Sequence, residues 1–156
     1  MVITIIGILA AVIAPNAFKA VEKGKVAAAE ADYKAIKAAA LNFYTDLGKW
    51  PDGKTDGTDP GFVTKPSISS NISSNDLNNW NGPYLERWPS KNPWGGTYTY
   101  KNDDGSTSTL GWGNPARWLE LTSVPDASIA RLKADLGADV VKENGSTVCI
   151  LISKEQ

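Results

Sequence analysis

The chain has 156 residues, of which 42% are hydrophobic and 21% charged, enough for one domain with a modest core and too few for two full domains. Its net charge is −1 with a pI of about 5.4, which gives no electrostatic case for nucleic acid or for a strongly anionic membrane surface. The single cysteine, Cys149, excludes an intramolecular disulfide; the absence of histidine removes the usual general base and the commonest transition-metal ligand, and with them an ordinary zinc site.

In chain order, Met1 to Ala14 (MVITIIGILAAVIA) contain no charge and one polar side chain, Thr4. A helix that crosses a hydrocarbon layer of about 30 Å needs roughly 20 apolar residues, so Val2 to Ala14 are too short alone. A signal peptide would carry a basic residue before the apolar run and a small-residue cleavage site after it, whereas here the helical pattern continues. The run is therefore expected either to extend upstream of Met1 or to be buried by copies of itself. Gly7 lowers helix propensity and Pro15 removes a backbone hydrogen bond, so residues 7–15 form a weak section.

From Ala17 to Leu47 apolar and small residues recur every three or four positions: Ala29, Tyr33, Ile36, Ala40, Phe43 and Leu47, with Phe18 and Val21 continuing the stripe upstream. The other side carries Lys19, Glu22, Lys23, Lys25, Glu30, Asp32, Lys34 and Lys37, with Glu30 four residues before Lys34 in the favourable orientation. These charges read as a solvated face or as partners of neighbouring subunits. Gly48 can close the helix in a left-handed cap, and Trp50-Pro51 is an extended step.

Residues 52–80 are rich in Gly, Ser, Asn, Asp, Thr and Pro and read as a long surface loop with one helical turn near Asp76 to Trp80. Pro93-Trp94-Gly95-Gly96 is a turn, and Thr97 to Tyr100 have strand composition. Asn102 to Gly105 signals a hairpin, with Ser106 to Trp112 as the return strand and Arg117 to Thr122 as a third strand. Asp126 is expected to cap a short helix through Leu136, with Ile129, Leu132 and Leu136 on one side and Gly137 as its end. After a turn at Asn144-Gly145, Ser146 to Ser153 read as a buried strand. Val148, Ile150 and Ile152 face one way, and Cys149 and Leu151 the other. On that reading Cys149 is an inert core residue.

Two segments carry a resemblance. Val2-Ile3-Thr4-Ile5-Ile6-Gly7-Ile8-Leu9-Ala10-Ala11-Val12-Ile13-Ala14-Pro15-Asn16 resembles the N-terminal helix of type IV pilins and of the pseudopilins of type II secretion. Gly48-Lys49-Trp50-Pro51 resembles the turn by which those helices enter the globular head. Asn81 to Pro89 followed by Asn92 to Tyr100 is similar to the major-pseudopilin segment in which Gly-Tyr-Leu, Pro-Trp-Gly and a Tyr-bearing strand succeed one another. The family's motif opens with an aromatic residue and a Glu, after a Gly at the leader-peptidase cut. None of these lies in this sequence, so the start is expected to be truncated or misassigned. The family's frequent C-terminal disulfide loop is also absent, which tilts the resemblance toward pseudopilins or disulfide-free pilins.

The resemblance implies an α+β fold: a long N-terminal helix on a small antiparallel sheet, with residues 1–15 as the membrane and fibre-core segment, 16–48 as an amphipathic helix and 49–156 as the head. It implies a structural subunit that polymerises into a helical filament, a type IV pilus or a type II secretion pseudopilus, with Val2, Ile3, Ile5, Ile6, Gly7, Ile8, Leu9, Val12, Ile13 and Pro15 as the assembly helix. In such a fibre the section from Gly7 to Pro15 either unwinds or persists as a gently kinked helix. The implied partners are further copies of the chain, the inner membrane before assembly, and the pilus or secretion machinery. The implied location is the bacterial inner membrane, then a periplasmic or extracellular filament.

Other chemistry is thinner. Asp52, Asp56, Asp59, Asp103 and Asp104 could lend oxygens to calcium. Yet the C-terminal loop that holds calcium in the resembling pseudopilins has no match after Gly111, so no cofactor is expected. Asn71-Ile72-Ser73 and Asn144-Gly145-Ser146 match the glycosylation triplet. Six tryptophans, Trp50, Trp80, Trp88, Trp94, Trp112 and Trp118, read as filler of a thin core. Alternatively they form exposed platforms of a membrane-anchored carbohydrate-binding module. No nucleophile–base pair or phosphate loop is present, and the chain is not expected to be an enzyme.

Overall fold

A computed structural model describes residues 2–103 and 110–154, with the side chains at 2, 3, 10 and 12–14 left aside. Helix α1 runs from Val2 to Leu47 through both Gly7 and Pro15. It ends where Gly48 adopts φ 68 and donates its N–H to the Tyr44 carbonyl at 2.7 Å, a left-handed closure. The expected stripe Ala29, Tyr33, Ile36, Ala40, Phe43 and Leu47 is buried, and it begins at Val26. Phe18 and Val21 are not part of this core. They stand 73% and 55% exposed, because the same periodicity continues past the point where the head stops covering the helix.

The sheet that covers α1 has four antiparallel strands, β1 (Tyr98–Asp103), β2 (Ala116–Leu121), β3 (Val141–Asn144) and β4 (Thr147–Ser153), in the order β1-β2-β4-β3. Tyr98, Tyr100, Leu119, Leu121, Val148, Ile150 and Ile152 form the main core with α1. Cys149 and Leu151 point the other way, as expected, into a second small cluster with Trp112, Ala116, Trp118 and Leu110. The Cys149 thiol is fully buried there, and burial pushes its pKa up to about 12.

Several expectations are corrected. The strand that answers β1 is β2, with Tyr98 opposite Leu121 and Asp103 opposite Ala116, rather than a return strand over Ser106 to Trp112. Residues 110–112 are turn and bend, with Gly111 at φ 75, and the hairpin turn at 104–105 and the stretch 106–109 lie outside the described residues. β3, a short polar edge strand, was not expected; it forms because Gly145 at φ 64 folds it back against β4. α2 (Ser74–Asn78) starts two residues earlier than the expected turn, since Ser73 and Asp76 form a capping box: each side chain accepts from the other's backbone N–H. α3 (Asp126–Leu136) has Pro125 at its N-cap and no side-chain cap, so Asp126 sits in the first turn instead of capping it.

The turn from Asn92 to Gly96 locks the head's chain against β2. Asn92 donates its side-chain amide to the Thr122 carbonyl at 2.7 Å and accepts from the backbone of Trp94 and Gly96. A Cβ on Gly96 would lie 2.1 Å from the Thr122 carbonyl oxygen. Because that neighbour is backbone and cannot swing aside, Gly96→Ala is expected to cost about 3 kcal/mol, read as a lower urea midpoint with an unchanged slope.

Candidate assembly surface

Between Val26 and the start of α1, the helix leaves its own head. By helical rise the 24 steps from Val2 to Val26 span about 36 Å. Ile5, Ile6, Ile8 and Leu9 are 60%, 60%, 62% and 54% exposed. Gly7 has nothing within 4 Å of where a Cβ would stand, and Pro15 is exposed on a helix that does not break at it. For the other expected assembly positions, Val2, Ile3, Val12 and Ile13, the backbone belongs to α1 and the side chains lie outside what is described. Thus Ile5, Ile6, Ile8, Leu9, Gly7 and Pro15 are brought together on one bare rod. Among the described residues no helix is long and apolar enough to cross a membrane.

At the foot of this rod the helix is pinned to the head by polar contacts that periodicity did not reveal. Glu22 accepts from the Ser128 hydroxyl of α3 at 2.8 Å and from the Trp94 indole N–H at 3.2 Å, and pairs with Lys25 at 3.4 Å. The Ser128 and Trp94 bonds favour the carboxylate and hold its pKa below the ordinary glutamate value. Asp32 accepts from the Tyr98 hydroxyl at 2.7 Å and Asp46 from the Tyr84 hydroxyl at 2.8 Å, and the Tyr33 hydroxyl donates to the Leu151 carbonyl. Two acids of the supposedly solvated face, Glu22 and Asp32, therefore fasten the helix to its own head, together with Asp46. The signal, visible in hindsight, is that these acids flank the buried stripe.

Glu30 turns from Lys34 toward α3. Its Oε1 is buried without a hydrogen-bond partner among the described residues. Burial raises its pKa first, and its contact with Asp135 adds to this, against the pull of Lys34 and Arg131. A carboxyl whose folded pKa lies above its unfolded one favours the fold while protonated, and that advantage is lost as pH rises through the raised value. Glu30→Gln should therefore be more stable than the parent at neutral pH and similar to it below the ordinary glutamate range. Urea midpoints of both proteins across that range check this.

The tryptophans face inward. The indole N–H groups of Trp80, Trp88 and Trp112 donate to the carbonyls of Gly61, Gly57 and Asp139, and those of Trp94 and Trp118 to Glu22 and Glu120. Trp50 is buried, stacked on Tyr44 and covered by the Arg117 guanidinium. No tryptophan is among the exposed large apolar side chains, so the filler reading describes them and sugar platforms do not. Loop acids are likewise occupied. Asp59 accepts from the backbone N–H groups of Gly61, Phe62, Val63 and Thr64, and Asp56 from Thr58. Asn71 of the first glycosylation triplet donates to the Trp50 carbonyl at 2.7 Å. Among the described residues no three acids gather as a metal-holding group.

Residues 20–110 match the family described as PilW, C-terminal. A curated relative, type II secretion system core protein G of Pseudomonas aeruginosa, is 36% identical over 101 residues, covering 64% of this chain and 66% of that protein. The chain thus spans just under two thirds of the length of that relative. The family match takes in more than half of the chain, including the head-bearing half of α1, the loop and β1. A long helix on an antiparallel sheet, matched in this way, shows that the chain belongs to the family described as PilW, C-terminal, and with it to the type IV pilins and type II secretion pseudopilins.

Proposed function

We propose that this chain is a non-enzymatic structural subunit that polymerises through the N-terminal half of α1 into a helical filament, a type IV pilus or a type II secretion pseudopilus. The subunit is held in the bacterial inner membrane before assembly and is handed by the pilus or secretion machinery to a periplasm-spanning or extracellular fibre. The observation that carries this reading is the bare rod: four large apolar side chains, Ile5, Ile6, Ile8 and Leu9, more than half exposed and remote from the chain's own core. Fully burying each contributes about 1.5–3 kcal/mol. Together they are of the size needed to offset the about 4–15 kcal/mol that association costs in lost freedom. A lone anchor would be satisfied by lipid, while bundling with identical rods also satisfies the side chains once the lipid is left behind.

Electron microscopy of full-length protein, after removal of detergent, tests it. Thin fibres are expected, and a variant lacking residues 1–15 should remain monomeric with its head folded. A full-length protein that stays monodisperse in plain buffer would sink the reading.

A further inference from the structure

Where α1 leaves the head, a groove of about 370 Å³ opens between it and α3. This lies within the range of about 300–1,000 Å³ of small-molecule sites. Phe18, Val26 and Ala127 form its apolar wall, and Lys19, Lys23 and Arg131 stand around it. The charges do not cancel. Glu22 on the same rim is answered by Lys25, and Arg131 is answered by Asp135 at 2.9 Å. Lys19 and Lys23 form no ion pair among the described residues. The groove therefore asks for an occupant that is apolar at one end and anionic at the other. Residues 1–14 of a second copy would fill the apolar part but carry no charge to answer the lysines.

Position points the same way. Lys19 lies five residues beyond Ala14, the end of the uncharged run, which is about 7.5 Å along the helix. The polar layer on each side of a bilayer is about 5–7 Å deep. With the rod in hydrocarbon, Lys19 lies at the level of the phosphates, and Lys23, about 13.5 Å beyond Ala14, leans its long side chain back toward the same level, as helical side chains do.

We infer that this groove binds an anionic phospholipid of the membrane from which the subunit is drawn, its acyl chain leaving past Phe18 toward the rod and its phosphate on Lys19 and Lys23. The inference rests on the membrane-held subunit proposed above and adds to it a lipid preference and a head-level site. The lipid would hold the groove closed until assembly, and leaving the bilayer would mean surrendering it.

Ala127 is exposed on the α3 wall, so Ala127→Cys in the full-length chain accepts an environment-sensitive fluorophore, while the buried Cys149 thiol does not compete. The labelled protein is reconstituted into vesicles of phosphatidylcholine alone or with phosphatidylglycerol. Emission is expected to rise only with phosphatidylglycerol and to be quenched by lipids spin-labelled near the headgroup. Lys19→Gln with Lys23→Gln should raise the phosphatidylglycerol content needed by on the order of tenfold, leaving co-sedimentation with vesicles and the melting of the head unchanged. Equal emission in both lipid mixtures would overturn the inference, as would a rise that follows protein density, since a second copy would then be the occupant. Absence of co-sedimentation with either vesicle would overturn the membrane-held reading and this inference with it.

Discussion

Ile8→Lys is expected to abolish the proposed fibre formation while the head melts at the parent's temperature. Ile8 is 62% exposed on the rod and supports nothing in the subunit, so the fold loses no packing when it is replaced. In the proposed fibre the same position would be surrounded by copies of residues 1–14, which carry no acid as partner. An ammonium taken there unpaired costs several kcal/mol even after relaxation. Since every subunit repeats that cost, the concentration needed for assembly rises by about a thousandfold or more. Sedimentation of polymer with negative-stain microscopy measures it, and Ile8→Leu serves as the conservative control that keeps fibres. Fibres from Ile8→Lys at the parent's concentration would show that the rod does not carry assembly.

Phe43→Ala acts on the other half of the helix and has the opposite signature. Phe43 is fully buried, with its ring edge-on to Phe62 at 6.0 Å and to Tyr84 at 5.8 Å between centroids. It joins α1 to the loop that precedes the sheet, and Tyr84 in turn is held by Asp46. Truncation leaves a cavity lined by aromatic groups too rigid to collapse into it. A loss of about 3–5 kcal/mol of unfolding free energy is expected, readable as a shifted urea midpoint. Because a head of this size has only about 5–15 kcal/mol in hand, the variant should also be depleted in cells.

Much of this arrangement is legible in the residues, for reasons that also explain what is not. A period of three and four over Ala29, Tyr33, Ile36, Ala40, Phe43 and Leu47 identifies the buried face of α1, because a helix repeats that geometry by itself. It does not say how far the head reaches, and so the stripe that continues upstream through Val21 and Phe18 is covered only from Val26 onward. Alternation over Val148 to Ile152 identifies both faces of β4. The four residues of β3, two of them Lys142 and Glu143, have no alternation to detect and owe their conformation to pairing along an edge. The pairing of β1 with β2 across 12 intervening residues, 104–115, is likewise long-range information, which local turn chemistry at Asn102 to Gly105 could not supply. For the proposed assembly surface, apolarity and lack of charge single out the rod, and Ile5, Ile6, Ile8 and Leu9 are indeed exposed on it. A net charge of −1 concealed the cationic rim at its foot, because local excess and global balance are independent quantities.

Finally, α1 is one uninterrupted helix from Val2 to Leu47, and this couples the azimuth of the head to the rod. Each helical residue advances the chain by about 1.5 Å and turns it by about 100°. A single-residue insertion between Pro15 and Phe18 would therefore swing the whole globular portion a quarter-turn and more around the rod, and so around the axis of the proposed fibre. Insertions and deletions in this short collar are accordingly far more disruptive to a lattice than substitutions. An insertion of seven residues, close to two full turns, should restore the orientation while lengthening the stalk.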